Sequence, residues 1–519
     1  MILESTPVII GAGQFTHRGG AATAPTPLDL IRRATTAAAA DAGLGREALA
    51  RLDAIGVVGF AFNAEGALAQ LPVPRQRNVP ASLARALGAA PRWSVETHMG
   101  GNASQHLVNT MAERIARGEN ELGLAVGGEF LGSLMKRLSG NLGFDGFGDE
   151  PGFEDAPPPD LIGDGRPGVT PYEAAHGLGL PVNCYPLFEN ALRARDGRSL
   201  HDHMARLGTL FSPFTQVAAD NPYAWFQTVR SAQEIARVTP DNRMVSYPYT
   251  KYMNAIMQVD QSAAVIMASV RMARALGVPP ENWVFLHGCA DAHDLWFPLE
   301  RQNFHSSPAM RLTGKRALEM AGITASDLDL MDLYSCFPSA VTIGAEELGL
   351  SIDDPRGFTV TGGLPYAGGP GNNYAMHGIA AMVGRLRQRP TAWGMCTANG
   401  WFLTKQSVGV YSTRPVDGDW AREDPAVIQD VINALPHPPM IERPVGAGTV
   451  ETYTVVHSRD GYRMGIVVGL DDQGRRFVAH TPSGAEFLAR FEGEEQIGRR
   501  GQVRLADDGV HNLFEPNLA

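Results

Sequence analysis

The stretch AGITASDLDLMDLYSCF, at residues 321–337, repeats the pattern of an earlier stretch, AGLGREALARLDAIGVVGF, at residues 42–60. In both, a helical segment stops at a glycine, and a Leu-Asp pair leads into an apolar run that is typical of a strand. A glycine directly after the last helical residue is the usual end of a helix. The repeat predicts two similar halves, each built from helices and strands.

The repeat continues beyond each of these strands. Gly100-Gly101 precedes a segment whose apolar residues recur at helical spacing, and Gly368-Gly369 precedes another. Such spacing indicates one buried face per helix, and alternating helices and strands favour mostly parallel sheets. We predict that the two helices, which begin near Ser104 and Tyr374, lie side by side at the centre of the fold. The alternative is a chance repetition within an α/β protein.

Two further regions lie outside the repeat. An irregular region at residues 131–250 separates the halves. We interpret it as a lid over the active site, with a packing excursion as the alternative. After a proline-rich linker at residues 436–444, closely spaced strand-like runs predict a small β-barrel of OB type, with a modest, partly polar contact to the rest. The predicted domains are 1–275, which includes the lid, 276–436, and 445–519.

Charge and cysteine content argue against several classes of function. The formal net charge is −11, and the barrel region carries eight Arg against eleven Asp and Glu, whereas nucleic-acid binders carry basic patches. The four cysteines are scattered without a C-x-x-C pair, so we expect no metal or redox motif and a reducing, cytoplasmic location. No apolar run is long enough to span a bilayer. The expected partner is a small molecule, not a nucleic acid.

The duplicated layout resembles the thiolase superfamily over roughly residues 5–415. Within it, the chain resembles the bacterial thiolase-like branch near the sterol-carrier-protein thiolases, and Val259-Asp260-Gln261-Ser262-Ala263-Ala264 is similar to the Asp-Gly-Ala-Ala segment at the start of a family strand. The barrel resembles the additional C-terminal domain of thiolase-like proteins and the OB domains of proteins that work beside thiolases. The resemblance implies a layered αβαβα fold and a coenzyme A thioester as substrate or ligand, with no covalently bound cofactor.

The family's nucleophilic cysteine has no counterpart in this chain. A thiolase holds that cysteine at the N-terminus of a buried helix, where the helix dipole and free amides favour a thiolate. The matching stretch is His98-Met99-Gly100-Gly101-Asn102-Ala103-Ser104-Gln105, and the alignment puts Gly101 at the nucleophile position. Ser104 is favoured as a helix cap. His98 is a candidate base, with a packed structural histidine as the alternative.

Two further family motifs are altered as well. Tyr334, in Tyr334-Ser335-Cys336-Phe337, takes the polar position of the second motif, where a phenol can donate a hydrogen bond or transfer a proton. The alternative is a buried tyrosine that is hydrogen-bonded to the backbone. The histidine of the third motif aligns with Gly369, in a turn at residues 368–373 whose amides are expected to hold a thioester or enolate oxygen. The candidates to replace that histidine are His377, Tyr366 and Tyr374, with a position of His377 in a helix interface as the alternative.

The fourth motif keeps its acid/base cysteine as Cys396. This residue ends a predicted strand ahead of Asn399-Gly400, a turn signal, and ligands of open α/β sheets collect at such strand ends. We therefore predict that Cys396 lines the ligand cavity, faces the turn at residues 368–373 and lies near Tyr334, with a relic core cysteine as the alternative. The predicted catalytic residues are Cys396, Tyr334 and His377, and the predicted substrate contacts are Gly101, His98, Gly368, Gly369, Asn372 and Asn399.

Loss of the nucleophile and its activating histidine argues against acyl transfer through a cysteine. Aldol or retro-aldol chemistry on a β-hydroxyacyl thioester needs only a base, an oxyanion site and a proton donor. The resemblance implies that tyrosines, with Cys396 and a fused OB-type partner domain, supply this chemistry. The alternatives are a non-catalytic protein that binds a coenzyme A ester or a lipid, and an acyltransferase if the alignment has slipped. Both a homodimer and a monomer stay open.

Overall fold

The computed structural model describes residues 2–63, 70–149, 152–153 and 156–517. The strands are β1 (Pro7–Thr16), β2 (Ala54–Val58), β3 (Trp93–Thr97), β4 (Leu122–Phe130), β5 (Asp160–Ile162), β6 (Met244–Ser246), β7 (Tyr249–Thr250), β8 (Asp260–Ser269), β9 (Val284–His293), β10 (Leu330–Asp332), β11 (Trp393–Gly400), β12 (Lys405–Ser412), β13 (Gly446–Ser458), β14 (Gly461–Asp471), β15 (Arg476–His480), β16 (Arg500–Leu505) and β17 (Asn512–Pro516). The helices are α1 (Pro27–Asp41), α2 (Arg46–Leu49), α3 (Val79–Leu87), α4 (Ala103–Ala116), α5 (Leu131–Ser139), α6 (Pro171–Ala175), α7 (Pro181–Arg195), α8 (Leu200–Asp220), α9 (Ala232–Ala236), α10 (Val270–Ala275), α11 (Pro308–Ala321), α12 (Pro338–Glu347), α13 (Tyr374–Gln388), α14 (Pro425–Asn433) and α15 (Ala485–Gly493).

One sheet runs through both halves, in the strand order β10-β11-β12-β9-β1-β8-β4-β2-β3-β5. Outward from the junction of β1 with β9, the first half has the order β1, β8, β4: its first strand, its last strand and the strand that follows α4. The second half has the matching order β9, β12, β11, in which β11 follows α13. At the junction, Val8 pairs with Phe285 and Ile9 pairs with Val284. The matching order confirms the predicted duplication within an α/β fold.

The strand directions differ from the expectation of mostly parallel sheets. The strands β2, β3, β4 and β5 pair in parallel, and so do β10 and β11. The last strand of each half, β8 or β12, instead runs antiparallel to both of its neighbours. β12 reverses because it follows β11 through a tight turn. β8 reverses because the region at residues 131–250 returns the chain to the same end of the sheet at which β4 stops, so that Asp260 pairs with Phe130. The sheet is therefore mixed.

The helices α4 and α13 lie side by side and contact strands of both halves, as predicted. α4 contributes Leu107, Val108 and Met111, and α13 contributes Met376 and Ile379, all fully buried. These residues share one apolar cluster with the strands of both halves. Burial of each such side chain contributes about 1.5–3 kcal/mol. The helix pair therefore holds the two halves together and fixes the start of α4, where the site lies.

A strand glycine faces a methionine of the central helix in each half. A Cβ on Gly123 of β4 would lie 2.4 Å from the sulfur of Met111, and a Cβ on Gly394 of β11 would lie 2.3 Å from the sulfur of Met382. Only a residue without a side chain allows so close an approach. The duplication therefore extends from strand order to individual packing contacts.

Nearly half of the described residues at 131–250 lie in helices, which corrects the prediction of an irregular segment. α7 and α8 pack on α12, and Phe188 and Phe211 are fully buried in that contact. Pro186 lies inside α7 and Pro213 inside α8, although an internal proline costs a helix about 3 kcal/mol. Burial of the apolar faces outweighs that cost. β5 extends the main sheet beside β3, and the chain that follows β5 covers the site described below.

The strands β13 to β17 close into a five-stranded barrel in the order β13-β14-β15-β17-β16-β13. β15 and β17 pair in parallel, and α15 lies between β15 and β16 along the chain. Within the described residues, these strands do not join the main sheet, so the prediction of a separate barrel is confirmed. β6 and β7 extend the barrel sheet, since Ser246 pairs with Val456.

The contact between the barrel and the rest is wider than the modest one predicted. Val456, Ile466 and Val478 belong to the same apolar cluster as the C-terminal half. Arg476 is fully buried, binds the Glu451 carboxylate at 2.6 Å and donates to the Leu299 carbonyl oxygen at 2.9 Å. α7 also packs across β13. The barrel is therefore packed into the body of the protein.

The division of the chain at residues 275, 436 and 445 stays a prediction. Residues 518–519 of the predicted barrel, and residues 150–151 and 154–155 of the predicted lid, lie outside the described residues. Among the helices that the structure describes, none has both the length and the apolar content that a bilayer crossing requires.

Candidate functional site

A cavity of about 610 Å³, which we call the main cavity, lies at the C-terminal ends of the parallel strands β2 and β3. Ligands of α/β sheets bind at such ends. The turn into α4 forms one side of the cavity, and the chain after β5 forms another. The polar lining residues are Asn63, Glu96, Thr97, His98, Asp164 and Asn372. The apolar ones are Phe60, Met99, Leu161, Pro167 and Trp401.

Gly101 and Tyr334 meet directly beside this cavity. A Cβ on Gly101 would lie 2.1 Å from the Tyr334 hydroxyl and 2.5 Å from the Asn399 carbonyl oxygen. Atoms this close would overlap, so no side chain fits at position 101 while Tyr334 holds its place. Burial raises the pKa of the Tyr334 phenol above its usual range, and the group is therefore a neutral hydroxyl at physiological pH. The space that a nucleophile would need is occupied by this hydroxyl.

The turn at residues 368–373 has most of its amides engaged within the fold. The Gly369 amide donates to Ile256, the Gly371 amide to Gly369, and the Asn373 amide to Pro370, at 2.7 to 2.8 Å. These amides cannot also hold a ligand oxygen, which weakens the interpretation of the turn as an oxyanion site. Gly368 lies in a small gap beside Gln261, away from the main cavity.

Asn372 is the residue of this turn that reaches the main cavity. Its Nδ2 donates to the Gly59 carbonyl oxygen at 2.7 Å, and its Oδ1 accepts from the Gly100 amide at 3.0 Å. The side chain therefore ties the turn of the second half to the Gly-Gly turn of the first. This arrangement agrees with the predicted position of Asn372 at the site, in a positioning role.

Glu96 is the titratable residue that the sequence analysis missed. It lies on β3, two residues ahead of His98, and both side chains line the main cavity. Burial raises the pKa of the Glu96 carboxyl to about 7, so acid and base forms are both populated at neutral pH. The available signal was a carboxyl inside a strand, between Val95 and Thr97, just ahead of the Gly-Gly turn. Glu96 can take up or release a proton inside the cavity.

His98 was predicted at the site and lies there. Its backbone N–H donates to the Ile162 carbonyl oxygen at 2.9 Å. A Cβ on Gly165 would lie 2.6 Å from the imidazole carbon Cε1 of His98, so the chain after β5 packs directly on the ring. This segment, rather than the whole of residues 131–250, acts as the cover of the cavity.

The tight turn between β11 and β12 places Trp401 at the cavity wall. Trp401 and Leu403 have φ values of 56° and 59°, a left-handed conformation that bulky residues rarely adopt and that is often found at functional sites. Tyr185 of α7 holds the turn, because its hydroxyl donates to the Trp401 carbonyl oxygen at 2.9 Å and accepts from the Leu403 amide at 3.3 Å. The Asn399 side chain donates to the same hydroxyl at 2.8 Å.

Cys396 does not line the main cavity, in contrast to the expectation from the sequence. The residue is buried and packs in the apolar cluster around α4 and α13. Burial, together with the nearby Asp332 carboxylate, raises the pKa of the Cys396 thiol well above its usual range. The strand β11 runs on to Gly400, so Cys396 lies inside the strand, and alternation turns its side chain toward the central helices.

His377 also lies away from the main cavity. Its Nδ1 is 2.8 Å from the side-chain oxygen of Gln14, and it borders a small gap beside Tyr374. Burial lowers the pKa of the His377 imidazole to about 3, so the ring is neutral. The Tyr374 hydroxyl donates to Asp332 at 3.0 Å. The predicted catalytic residues are thus separated: Tyr334 adjoins the site, and Cys396 and His377 do not.

No cluster of three or more metal-ligating side chains occurs in the part of the chain that the structure describes. The residues that the cavity brings together are instead two carboxyls, an imidazole, amides and aromatic rings. This set can bind a partly apolar ligand and move a proton.

Two family models match the chain. The model for a thiolase C-terminal domain-like region matches residues 290–412. The model for the thiolase-like protein type 1 additional C-terminal domain matches residues 427–509, which include most of α14 and most of the barrel.

Among solved structures, the chain is similar to a monomeric SCP2-thiolase-like protein type 1 from Mycobacterium smegmatis, with 37% identity, 100% of both chains covered and a TM-score of 0.83. An Ltp2-ChsH2(DUF35) aldolase has 20% identity over 79% of this chain and 99% of its own, with a TM-score of 0.57. An acetyl-CoA acetyltransferase from Syntrophomonas wolfei has 16% identity over 79% of this chain and 99% of its own, with a TM-score of 0.54. The last two likenesses concern the fold alone.

Curated relatives match a shorter part of the chain. A 3-ketoacyl-CoA thiolase from Yersinia pestis is 30% identical over 159 residues, which are 28% of this chain and 35% of the relative. The chain therefore spans about a third of the length of this relative. The full-length likeness to the mycobacterial protein and the two matching family models decide the assignment. The chain belongs to the thiolase superfamily, in the branch of SCP2-thiolase-like proteins of type 1.

Proposed function

We propose that the chain binds an acyl thioester of coenzyme A in the main cavity and does not transfer the acyl group through a cysteine. The observation that carries the proposal is the Tyr334 hydroxyl, which fills the space of a nucleophile at position 101 while the cavity beside it stays open. The relation of the chain to 3-ketoacyl-CoA thiolases supports a thioester as the ligand. In this proposal coenzyme A is part of the ligand and not a resident cofactor.

The binding proposal is tested by titration calorimetry with acetyl-CoA and with free coenzyme A. The variant Leu161→Trp narrows the rim of the cavity at a half-exposed position that tolerates a larger side chain. We expect it to weaken binding at least about tenfold, whereas the matched variant Leu161→Met leaves affinity unchanged. Equal affinity in both variants would place the ligand elsewhere. Efficient cleavage of acetoacetyl-CoA by free coenzyme A would contradict the second part of the proposal.

A second candidate function, proton transfer at the α-carbon of the bound thioester, is favoured by Glu96. Its pKa of about 7 suits a general acid or base at neutral pH. In retro-aldol cleavage, a base removes the proton of the β-hydroxyl, the bond between the α- and β-carbons breaks, and an acid then protonates the α-carbon. The products are an acyl thioester and an aldehyde or ketone.

This candidate predicts hydrogen exchange at the α-carbon. In D₂O, the wild type is expected to introduce deuterium into bound acetyl-CoA, and Glu96→Gln is expected to lose that exchange at least about a hundredfold with little change in affinity. Glu47→Gln, at an exposed position on α2, is the control. Unchanged exchange in Glu96→Gln would remove Glu96 from the reaction and leave a binding protein.

We further propose that the barrel is of OB type and corresponds to a fused partner domain. The order β13-β14-β15-β17-β16 and the single helix α15 between β15 and β16 support this assignment. Its wide apolar contact with the C-terminal half supports a structural role for the barrel within one packed body.

A further inference from the structure

Lysine is scarce in this chain, and its four copies differ sharply in environment. The sequence has 44 basic residues of the Lys and Arg types, of which Lys136, Lys251, Lys315 and Lys405 are lysines. All four lie within the described residues. The first three are exposed, whereas Lys405 is 5% exposed. A buried lysine amine needs an explanation, because burial of an ammonium group is costly.

Lys405 stands in the wall between two cavities. Its Nζ donates to the carbonyl oxygens of Met99 and Asp164, the second at 2.9 Å, and both of these residues line the main cavity. Lys405 itself lines a second cavity of about 320 Å³, and Asp164 lines both cavities. The rings of Trp401 and Trp296 lie 5.6 and 5.9 Å from Nζ, one at each cavity.

The amine also lies close to the former nucleophile position. A Cβ on Gly100 would be 2.8 Å from Cε and 3.0 Å from Nζ of Lys405. Gly100 directly precedes Gly101, the position from which a thiolase nucleophile would attack a thioester. A thioester that enters the main cavity as proposed above therefore comes near the Lys405 amine.

The surroundings of Lys405 favour its neutral form. Burial lowers the pKa of the Lys405 amine to about 8, with the Asp164 carboxylate opposing and the Arg166 guanidinium adding to this shift. The other titratable groups that face the second cavity are His106, Asp291 and His293. A neutral amine is the form that attacks a carbonyl carbon.

We propose that Lys405 is an acyl acceptor, which the thioester bound in the main cavity modifies covalently. This inference rests on the proposed binding of an acyl thioester. The lone pair of the amine attacks the thioester carbonyl carbon, a C–N bond forms and the C–S bond breaks. Coenzyme A leaves as a thiolate, which takes up a proton, and the amine nitrogen releases a proton to solvent. The products are an amide on Lys405 and free coenzyme A.

The modification would alter the site that produces it. An amide nitrogen keeps a single N–H, whereas the ammonium group has three donors. Acylated Lys405 could no longer donate to both the Met99 and Asp164 carbonyl oxygens. The turn ahead of α4 would then lose the hydrogen bonds through Lys405 that connect it to the chain after β5. Acylation is therefore expected to weaken later binding of thioester and to limit itself to one acyl group per chain.

The test uses the full-length wild type with acetyl-CoA as the probe. After incubation at pH 8, peptide mass spectrometry gives the acetylated fraction of each lysine. We expect Lys405 to exceed Lys136, Lys251 and Lys315 by at least about tenfold, although these three are far more exposed. The initial rate at Lys405 is expected to level off above pH about 8. Equal or lower acetylation of Lys405 overturns the inference.

Parallel calorimetry separates this inference from the proposed function. If acetyl-CoA binds and Lys405 is not preferentially acetylated, the inference fails and the binding proposal stands. If acetyl-CoA neither binds nor acetylates, both fail. The variant Lys405→Arg keeps a cation near the Met99 and Asp164 carbonyl oxygens. In intact-protein mass spectra, it is expected to lose the rapid mass increase of one acetyl group that the wild type shows. The comparison among the lysines of the wild type does not depend on whether this variant folds.

Discussion

Tyr334 and Gly101 complement each other across the two halves of the molecule. The hydroxyl of the first lies where the side chain of the second would begin. A return to a thiolase-like site would therefore require two changes together, one to supply the thiol and one to empty the space around it.

The variant Gly101→Cys is expected to lower the free energy of unfolding by about 1–3 kcal/mol, because the new side chain overlaps Tyr334 and the Asn399 backbone. The double variant Gly101→Cys/Tyr334→Ala should recover part of this loss and expose a thiol that reacts with iodoacetamide. Urea unfolding and alkylation rates measure both effects. Gly384→Cys is the control, because a Cβ at this exposed helical position meets no other atom within 4 Å. Equal stability of the two cysteine variants would contradict the overlap.

Glu96 gives the protein a pH dependence of stability with a defined sign. Its pKa is about 7 in the folded chain and near 4.3 in an unfolded chain. Between these values the folded state binds more protons, so the contribution of Glu96 to stability is lost as pH rises from about 4.5 to 7. Glu96→Gln should therefore gain stability relative to the wild type as pH rises, by at most about 4 kcal/mol. Urea midpoints at pH 4 and pH 8 measure this, with Glu47→Gln as the control. The same difference at both pH values would refute it.

Single-residue roles were the least predictable part of the site from sequence. Gly101 and Asn372 were placed at the site because their motifs keep the family order. Cys396 was expected at a strand end, but its strand continues four residues beyond that point. The Cys396 side chain therefore packs against the central helices and not at the cavity. Glu96 was missed because its raised pKa depends on burial of the carboxyl. Burial at this end of β3 depends on the chain after β5, which is distant in the sequence.

The turn between β11 and β12 is a strained element held by α7, a helix of the region at residues 131–250. Removal of the Tyr185 hydroxyl in Tyr185→Phe leaves the Asn399 side chain and the Leu403 amide without their acceptor. We expect a loss of about 1–3 kcal/mol in unfolding free energy and weaker binding of acetyl-CoA, because Trp401 loses its support at the cavity. Urea unfolding and calorimetry measure the two effects. Tyr223→Phe, at a partly exposed tyrosine, should leave both unchanged; an equal effect there would count against a role for this turn.

Helices and strands were predictable where the spacing of apolar residues and the glycines that end helices match the buried positions. This holds for α4, α13 and the barrel strands. α7 and α8 were not predictable, because each carries an internal proline that argues against a helix. Their stability comes from contacts with α12, nearly 150 residues later, and no local pattern contains that information. The same holds for β5, three residues long and without an apolar alternation.

The barrel and the two halves are expected to unfold as one unit. Arg476→Met should lower the unfolding free energy by about 3 kcal/mol, because Glu451 and the carbonyl oxygens of Leu299 and Arg301 lose their buried partner. Calorimetry should show one transition in the wild type that shifts as a whole in the variant. Arg463→Met, at an exposed position on β14, is the control. Two separate transitions, with only one affected, would show instead that the barrel is independent.

The place of β8 in the sheet has a consequence for biosynthesis. β8 lies between β1 and β4, yet residues 131–259 separate the end of β4 from its start. At about 5–20 residues per second, a ribosome needs on the order of 10 s to make that stretch. Throughout this interval the nascent chain holds β1 and β4 with unpaired edges, which are templates for aggregation. The helices of the region at residues 131–250 emerge during the same interval. They can cover the unpaired edges of β1 and β4 before β8 is made and completes the first half.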